Sequence, residues 1–550
     1  MKKIVILLVL MLIYLSINSQ PVQPVRMCAE WEPVTGTLIR WPLGIPYELV
    51  RELAEDDSLY VLVENQYQQN EAMAAFNNEH VNIENCRFFH ISTNSHWTRD
   101  WGPHSIFDGE GNWAIIDPIF DGYPWVPGDK RDYEEDDDVN NYLAGYLNCE
   151  VYNMPAYLTG GNFMTDGMGK AFSTEQMLAE NLQILSPDEF FDTVSDYTGI
   201  NDYQMLPNIE SYGIQHIDCG AKLLAEETVL IKRLPSWHED YERQEELAHQ
   251  FATMENCFGR PYRIYRIDCE PYWGNECAAY TNSYILNDKV LVPLFGIEAD
   301  AAALETYEIA MPGYEVIGIY YSEWYYYDAL HCRTREIMDR NMLRIVHRNL
   351  DYEHPETEPA EIVCMIDDRS ESGLISEELL LHWRISGNDN FNLIQLAEST
   401  MQDTFTAIIP EQPGETIIEY YISAADNSGR YETLPRTAPA NLFTFKICET
   451  SADINSTHAD FDLKNYPNPF NPTTNISFKL KESGNTKLTI FNLKGEKVKT
   501  LLDKNLTAGK HNVVWQGVDE NNKSVASGIY FYKLRLNNRT EVTGRCLLLK

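Results

Sequence analysis

The hydrophobic and polar positions divide the chain into regions with different architectures. From about Val25 to Asn349, short apolar runs alternate with segments of helical periodicity, which is the pattern of a large α/β domain. Strands are predicted in this region at Leu59–Val63, Trp113–Ile116, Thr228–Ile231, Lys289–Leu294 and Tyr314–Tyr320. No internal repeat is visible in the sequence.

Two helices are predicted from their terminal signals. Ser236 and Glu239 have the spacing of a capping box, and the helical pattern that follows them continues towards Met254. A second helix is predicted over Asp300–Met311, because the Pro-Gly pair that comes next cannot continue it.

Beyond about residue 353 the helical periodicity disappears. Alternating runs at Leu379–Arg384 and Ile417–Ile422, with a turn at Asp426–Gly429, predict an immunoglobulin-like β-sandwich. The predicted domains are therefore an α/β domain (20–352), a β-sandwich (353–448), a polar linker (449–463) and an all-β segment (464–550).

Residues 1–19 are predicted to form a secretory signal peptide. Two lysines follow Met1, and the apolar run Ile4–Ile17 comes next. This run is shorter than the roughly 20 residues that a membrane-spanning helix needs, so a membrane anchor is the less favoured alternative. The mature protein is predicted to be exported and to have no membrane span.

The formal net charge of −40 argues against nucleic acid as a partner, because phosphates would be repelled. It is compatible with a cationic substrate, although a soluble acidic surface accounts for most of it. Residues 464–550 are basic, which indicates a separate module. The chain has 11 cysteines, and if one is a nucleophile the even number left fits disulfide pairing without assigning any bridge.

Cys332 points most directly to a reaction. It follows Asp100, His216, Asp218 and Asn282 in the chain, so a thiol, an imidazole, two carboxylates and an amide are available. These groups suit hydrolysis of a guanidinium group. Carboxylates orient its nitrogens, a thiolate attacks its carbon, and one imidazole protonates the leaving ammonia and then activates water. Such a reaction needs no metal and no cofactor.

Each residue also has a structural interpretation. His216 and Asp218 would share one face of a strand, but an H-x-D pair alone is more often a solvent-exposed strand edge. Asp100, between two tryptophans, could line a pocket or pair with Arg99 in a turn. The Gly-rich segment at Gly161 lacks the spacing of a dinucleotide-binding motif.

Several stretches together resemble the guanidino-group-modifying superfamily, in particular its agmatine deiminases and bacterial peptidylarginine deiminases. The resemblance covers about residues 25–350 and rests on Ala29–Pro33, 97–103 (WTRDWGP), Leu158–Thr174, His216–Leu224, Tyr280–Pro293 and 330–334 (LHCRT). It implies a five-bladed α/β propeller (pentein) with the active site in its central channel.

The resemblance also implies roles for the candidate residues. They are the nucleophile Cys332, the general acid and base His216, the guanidinium-binding Asp100 and Asp218, the orienting Asn282, and the substrate-binding Trp97 and Gly161. His331 is a rival base beside Cys332. Since neighbours in sequence usually point apart, we interpret His331 as structural.

Two positions bear on the substrate. Agmatine deiminases typically have an acid at the position of Thr159, whereas the peptidylarginine branch has Thr, as this chain does. The predicted reaction therefore converts arginine residues of peptides or proteins to citrulline and ammonia. The run Phe120–Arg131 lacks the arginine pair with which the bacterial peptidylarginine enzymes read a terminal carboxylate, so a preference for C-terminal arginine is not carried over. Agmatine deimination to N-carbamoylputrescine is the alternative within the same chemistry. A Cys-His-Asn thiol protease and a non-catalytic surface adhesin are alternatives of other classes.

The last segment, residues 464–550, resembles the C-terminal sorting domains of the type IX secretion system. The resemblance rests on the opening YPNPFNPTT, the stretch Ala508–Gly517, the strand SGIYFYKL and the basic end at Lys550. It implies that the type IX secretion machinery of a Gram-negative bacterium exports the chain, which is then released or attached to the cell surface. A permanent carbohydrate- or surface-binding β-sandwich is the alternative.

Overall fold

The structure of the chain, a computed structural model, contains two compact units, Met1–Arg340 and Asn341–Lys550. The residues that it describes are 20–126, 132–356, 359–401, 403–448, 463–466, 468, 470, 472–480, 483–492, 497–526, 528–537 and 540–548. The predicted signal peptide (1–19) and all but the last residue of the predicted linker (449–463) lie outside them. The first unit ends before the predicted boundary at residue 352, because the strand Leu343–His347 pairs with Ala360–Asp368 in the second unit.

The first unit alternates strands and helices. Its strands are Arg26–Met27 (β1), Val34–Arg40 (β2), Ser58–Val63 (β3), Cys86–His90 (β4), His104–Phe107 (β5), Trp113–Ile119 (β6), Glu150–Tyr157 (β7), Met164–Thr165 (β8), Lys170–Thr174 (β9), Asp202–Leu206 (β10), Ala221–Ala225 (β11), Thr228–Arg233 (β12), Arg263–Asp268 (β13), Pro271–Trp273 (β14), Glu276–Cys277 (β15), Tyr284–Leu286 (β16), Lys289–Leu294 (β17), Glu315–Tyr320 (β18) and Arg335–Met338 (β19). Its α-helices are Tyr47–Leu53 (α1), Gln66–Asn78 (α2), Thr98–Trp101 (α3), Glu134–Asp137 (α4), Val139–Leu147 (α5), Glu175–Asn181 (α6), Pro187–Thr198 (α7), Tyr241–Thr253 (α8) and Ala299–Ala310 (α9). Short 3-10 turns lie at Ile83–Asn85, Gly160–Asn162, Ile217–Cys219 and His331–Arg333.

One strand pattern recurs in five sheets of the described part of this unit. In each sheet a first strand pairs antiparallel with a second, and the second pairs parallel with a third. The sheets are β5-β6-β7, β8-β9-β10, β11-β12-β13, β16-β17-β18 and β19-β2-β3, with β1 and β4 added at the edges of the first and last. A helix connects the parallel strands in every case, as such pairing requires. The last sheet joins a strand near the start of the unit to its final strand, since β19 pairs with β2.

Helix α8 shows how the sequence pattern produces this packing. Its buried residues are Gln244, Leu247, Ala248 and Phe251, which recur at helical spacing and form one buried stripe that is apolar apart from Gln244. Phe251 packs on Phe172 of β9, with ring centroids 5.0 Å apart.

The predicted strands of this unit are confirmed, with ends that differ by a few residues. The predicted second helix is also confirmed, as α9. The capping box of Ser236 and Glu239 is wrong, because residues 236–240 form turns and α8 begins only at Tyr241. Asp240, which precedes the helix, does not cap it and instead accepts the backbone N–H of Ser211 at 2.7 Å.

The second unit is all-β in its described residues apart from a 3-10 turn at Ser376–Glu378. Its strands are Leu343–His347 (β20), Glu353–Pro355 (β21), Ala360–Asp368 (β22), Leu380–Ile385 (β23), Asn392–Gln395 (β24), Ala397–Glu398 (β25), Thr404–Ile409 (β26), Ile417–Ala425 (β27), Tyr431–Leu434 (β28), Phe443–Cys448 (β29), Lys464–Tyr466 (β30), Thr474–Leu480 (β31), Gly484–Phe491 (β32), Lys497–Leu506 (β33), Gly509–Trp515 (β34), Gly528–Leu536 (β35) and Thr540–Leu548 (β36). The sheets are β20-β22-β26-β25, β21-β29-β27-β23-β24 with β28 beside β27, β30-β31-β34 and β33-β32-β35-β36. The predicted all-β C-terminal region is confirmed.

All 11 cysteines lie among the described residues, and each is a free thiol. The pairing that their number would permit is therefore not formed in this structure. Across the residues that the structure describes, no helix combines the length and the apolar character needed to cross a membrane.

Candidate active site

The candidate residues lie in five segments that each precede the first strand of a different sheet. Asp100 lies in α3 before β5, and Gly161 in the 3-10 turn before β8. Asp218 lies in the turn before β11, Asn282 before β16, and Cys332 in the turn before β19. All five are buried. Because the sheets share one strand pattern, equivalent positions in them can meet at a common site.

Gly161 marks the point where three of these segments meet. A Cβ atom added to it would lie 2.6 Å from Asp100 Oδ1, 2.7 Å from His216 Nδ1 and 3.3 Å from Asp218 Oδ2. Its backbone N–H donates to Asp100 Oδ1 at 2.9 Å. Glycine is therefore required here by the close approach of polar side chains to the backbone.

His216 is a fully buried imidazole beside Asp100. Its Nδ1 lies 3.5 Å from Asp100 Oδ1, and among the described residues neither ring nitrogen has a hydrogen-bond partner. The strand predicted for His216 and Asp218 is wrong, because His216 directly precedes the 3-10 turn Ile217–Cys219. An imidazole held in this way can exchange a proton with a bound molecule.

Both ends of the Asn282 amide contact Cys332. Its Nδ2 donates to Cys332 Sγ at 3.3 Å, and its Oδ1 accepts the backbone N–H groups of Cys332 at 3.3 Å and of His331 at 3.0 Å. The same Nδ2 donates to Asp218 Oδ2 at 3.1 Å, and that oxygen lies 3.8 Å from the sulfur. Thiol, amide and carboxylate thus form one cluster.

The Cys332 thiol is protonated at neutral pH. A hydrogen bond from Cys219 lowers the pKa of Cys332, but burial and the carboxylates of Asp218, Asp328 and Asp100 raise it to about 11. A cation bound beside these carboxylates would offset their charge and favour the thiolate. The cluster therefore suits a positively charged ligand.

The pKa values of the two carboxylates are shifted in opposite directions. Burial raises the pKa of Asp218, but the hydrogen bond and charge of His331, with the charge of His216, bring it below its ordinary value. Burial also dominates at Asp100, whose pKa stays above its ordinary value despite His216 and a hydrogen bond from Tyr123. Asp218 therefore ionises more readily than Asp100. A bound cation would stabilise the ionised form of Asp100 more than that of Asp218.

Trp97 lies in an aromatic cluster next to these acids. Its ring centroid is 5.3 Å from that of Tyr123 and 6.4 Å from that of Tyr133. The Tyr123 hydroxyl donates to Asp100 Oδ2, and the Tyr123 ring centroid is 5.8 Å from that of His216. Aromatic faces beside carboxylates suit a flat cation with an aliphatic stem.

Arg99 does not pair with Asp100. Its Nη2 lies 2.7 Å from Glu336 Oε2, and both side chains are buried. Asp100 is instead directed towards Gly161, His216 and the Tyr123 hydroxyl. Of the two interpretations of Asp100, lining a pocket agrees with this geometry, and pairing with Arg99 in a turn does not.

Sequence reasoning missed Tyr123, Glu30 and the contacts of His331. The His331 Nδ1 lies 2.8 Å from Asp218 Oδ2, and its Nε2 lies 2.8 Å from Glu30 Oε2. The expectation that His331 and Cys332 point apart does not hold, since both side chains contact Asp218 Oδ2. Glu30 lies in Ala29–Pro33, the first stretch that carries the family resemblance. Tyr123 lies in Phe120–Arg131, the run that lacks the arginine pair. The sequence therefore offered a signal for each segment.

Comparison with known families finds one match in the first unit and another in the C-terminal segment. The profile of the Porphyromonas-type peptidyl-arginine deiminases matches residues 26–337, more than half of the chain. The chain belongs to this family. The profile of the secretion system C-terminal sorting domain matches residues 464–547. Both resemblances seen in the sequence are thereby confirmed.

Relatives and solved structures agree with this assignment. A Legionella pneumophila protein that carries the name of an agmatine deiminase is 25% identical over 331 residues, which cover 56% of this chain and 92% of that protein. The structure of the agmatine deiminase of Enterococcus faecalis is similar over 59% of this chain and 99% of that one, with 22% identity and a TM-score of 0.52. A crystal structure described as a peptidyl-arginine deiminase is similar over 58% of this chain and 100% of that one, with 22% identity and a TM-score of 0.51. At these identities the structures support the fold alone.

Family membership fixes the function at a coarse level. The protein is a guanidino-modifying deiminase. This assignment supports an activity as a hydrolase that acts on C–N bonds of arginine-type substrates. The sorting domain indicates handling by the type IX secretion system and a secreted or cell-surface location.

Proposed function

We propose that the protein is an exported, thiol-dependent deiminase that converts arginine residues of peptides or proteins to citrulline and ammonia. One observation carries the proposal: the groups around Gly161 and Cys332 form a single buried cluster. It contains two carboxylates, an imidazole without hydrogen-bond partners among the described residues, and a thiol held by an amide. These are the groups that guanidinium hydrolysis requires.

In the first half of the reaction, the guanidinium group binds between Asp100 and Asp218. Its positive charge offsets the carboxylates that raise the pKa of the Cys332 thiol to about 11. The thiol proton passes to His216, and the thiolate attacks the guanidinium carbon, which forms a C–S bond and a tetrahedral adduct. His216 returns the proton to a terminal nitrogen, the C–N bond breaks, and ammonia leaves. A covalent thiouronium remains on Cys332.

In the second half, His216 acts as a base. It takes a proton from water, and the resulting hydroxide attacks the thiouronium carbon. The C–S bond then breaks, the electron pair returns to sulfur, and the hydroxyl proton is lost to solvent as citrulline is released. The proton on His216 restores the Cys332 thiol.

The peptidyl substrate is supported by the family description and by the sorting domain, because export brings the enzyme to extracellular proteins. Thr159, where agmatine deiminases typically have an acid, supports it as well. Agmatine is the second candidate substrate, since curated relatives carry the agmatine deiminase name.

The finer architecture forms part of the same proposal. The five sheets with a common strand order are the five blades of an α/β propeller (pentein), and residues 353–448 form an immunoglobulin-like sandwich. The closing of the first unit by β19 and β2 supports a ring of blades. The domain boundaries at residues 20–352, 353–448 and 464–550 stay a prediction.

A substrate panel tests the function. The mature protein is incubated with a peptide that has an internal arginine, one with a C-terminal arginine, free arginine and agmatine, and ureido product is measured. We expect the internal arginine peptide to give the highest kcat/KM, Cys332→Ser to give no product, and Cys364→Ser, which alters a buried thiol of the second unit, to retain activity. A preference for agmatine would replace the substrate assignment. No ureido product from any substrate, or peptide cleavage instead, would overturn the function.

A further inference from the structure

His331 lies between two carboxylates. Its Nδ1 is 2.8 Å from Asp218 Oδ2, and its Nε2 is 2.8 Å from Glu30 Oε2. Oε1 of Glu30 accepts the backbone N–H of Ile285 at 3.0 Å and a hydrogen bond from the Lys222 ammonium. Asp218, His331, Glu30 and Lys222 therefore form one hydrogen-bonded chain in which acidic and basic side chains alternate, and we name this chain the His331 relay.

Both imidazole nitrogens of His331 need a proton to make these bonds. Burial raises the pKa of Glu30, but the Lys222 ammonium and then His331 hold it well below its ordinary value. The pKa of Asp218 is likewise lowered, against the effect of burial, by His331. Ionised carboxylates only accept hydrogen bonds, so both bonds are made when each nitrogen of His331 carries a proton.

The His331 relay faces a space that is separate from the reacting atoms. Its four residues line a cavity of about 40 Å³, which is large enough for a few water molecules. Neither Cys332 nor His216 lines this cavity. Any effect of Glu30 on the reaction would therefore pass through His331 and not through contact with the substrate.

His331 also fixes the orientation of a guanidinium-binding carboxylate. Oδ2 of Asp218 is held by His331 and by Asn282 Nδ2 at 3.1 Å, while Oδ1 contacts the Cys219 thiol at 3.4 Å. With Oδ2 held by two donors, the carboxylate cannot turn without breaking charge-assisted hydrogen bonds. Since His331 precedes Cys332 in the chain, the same ring also anchors the nucleophile turn.

We propose that Glu30 is a positioning residue that keeps His331 doubly protonated and thereby fixes Asp218 and the Cys332 turn for guanidinium binding and attack. This inference rests on the proposed deiminase function. It adds that a carboxylate which does not touch the substrate controls the charge state of the site. Replacing a residue that positions a site residue without touching the substrate typically changes activity tenfold to a hundredfold.

Loss of the Glu30 charge has a defined effect on pH dependence. The pKa of Asp218 is lowered in the folded protein, so its anion persists until the pH falls through that low value. Without the second proton on His331 the pKa of Asp218 rises, and activity is lost at a higher pH on the acid side. The titratable and charged groups that interact with Asp218, His331 and Glu30 come from several elements. They are Arg99, Asp100, Glu210, His216, Cys219, Lys222, Tyr284, Tyr307, Cys332 and Arg335.

The test compares two isosteric substitutions in the same segment. Glu30→Gln removes the charge but keeps an amide beside His331, and we expect kcat to fall by about tenfold to a hundredfold and the acid limb of the kcat/KM profile to move to higher pH. Glu32→Gln is the matched control, because Glu32 is a buried carboxylate paired with Arg26 at 2.7 Å. It should lower thermal stability and leave kcat and the acid limb unchanged. A folded Glu30→Gln protein with the kcat and acid limb of the wild type would overturn the proposal.

A double-mutant cycle tests whether Glu30 acts through His331. His331→Asn alone should move the acid limb in the same direction, and adding Glu30→Gln to it should change kcat by less than about twofold. Independent, multiplying effects of the two substitutions would contradict the relay. The cycle also covers the case in which Glu30→Gln fails to fold, since His331→Asn alone must still shift the acid limb.

A spectroscopic measurement separates this inference from the proposed function. In protein labelled with ¹⁵N-histidine, the His331 signals, assigned by their loss in His331→Asn, should show two protonated nitrogens at pH 7.5 in the wild type. A neutral ring in the wild type would overturn the inference even if the enzyme deiminates arginine. A doubly protonated ring in a protein that is inactive on every guanidine substrate would retain the relay and overturn the function.

Discussion

The Asn282 amide nitrogen lies 3.3 Å from the Cys332 sulfur, while the oxygen of the same amide accepts the Cys332 backbone N–H at 3.3 Å. One side chain therefore fixes both the position of the nucleophile and the polarity of its surroundings. The amide nitrogen donates to the sulfur, which stabilises the thiolate more than the thiol.

Replacing this amide by a carboxylate should disable the nucleophile. Asn282→Asp keeps the shape and the oxygen acceptor but removes the donor to sulfur and adds a negative charge, so the pKa of Cys332 rises further. We expect kcat to fall by about a hundredfold at pH 7.5. The control is Asn140→Asp, at another buried asparagine whose amide donates to the Trp101 carbonyl oxygen at 2.9 Å, and it should reduce stability but not kcat. Equal losses of kcat in the two variants would count against the role of Asn282.

The charge of an alkylating reagent should decide how fast Cys332 reacts. Because the pKa of the thiol is raised to about 11, its reaction with neutral iodoacetamide should keep increasing well above pH 9. Cationic 2-chloroacetamidine should react efficiently at pH 7.5, because it brings its own positive charge to the carboxylates. Mass spectrometry of the peptide that contains Cys332 gives both rates. Asp218→Asn should abolish the advantage of the cation, and equal pH profiles for the two reagents would contradict this account.

Removing the Tyr123 hydroxyl should shift the acid limb of activity. This hydroxyl donates to Asp100 Oδ2 and lowers the pKa of a carboxyl that burial raises. The Asp100 anion is present above its pKa and is lost as the pH falls through it, so Tyr123→Phe should move the acid limb to higher pH. We expect kcat/KM to fall about tenfold at pH 6, because a hydrogen bond to a charged group is lost. Tyr203→Phe, which removes a partly buried hydroxyl that donates to the Ser173 hydroxyl at 3.0 Å, should leave the pH profile unchanged.

A methyl group at position 161 should block the site without unfolding the protein. In Gly161→Ala the new carbon would lie within 2.7 Å of both Asp100 Oδ1 and His216 Nδ1, so these groups must move. Activity should fall by at least about a hundredfold. Gly145→Ala is the control, because its Cβ would have nothing within 4 Å, and Gly145 lies inside α5. It should stabilise the protein by about 1 kcal/mol with normal activity, as measured by thermal unfolding and citrulline formation. Full activity in Gly161→Ala would exclude the close approach described for this glycine.

The sequence predicted the features that depend on neighbouring residues. The strand β17 and the helix α9 carry local signals, namely an apolar run and a helix-stopping Pro-Gly pair, and both are present in the structure. The capping box at Ser236 failed because its two residues lie in turns that end before α8 begins. A terminal motif of this kind depends on the backbone conformation, which its spacing alone does not fix.

No local sequence pattern predicts that the candidate residues lie close together. Asp100, Asp218 and Cys332 are separated by more than a hundred positions from one to the next, and they meet because the strand order is repeated while the sequence is not. The family resemblance supplied what periodicity could not. Tyr123 and Glu30 were missed because a tyrosine and a glutamate acquire their roles only through the carboxylate and the imidazole that they contact.

The pairing of β19 with β2 also fixes when the enzyme can first become active. Cys332 directly precedes the strand that completes the first unit, so a ribosome delivers the sulfur only after every other group of the cluster has been synthesised. Joining the two ends of so long a segment is an unfavourable, late step in folding. A nascent chain therefore carries the acids and the imidazole but not the proposed nucleophile, and the proposed reaction cannot begin before its synthesis has passed this point.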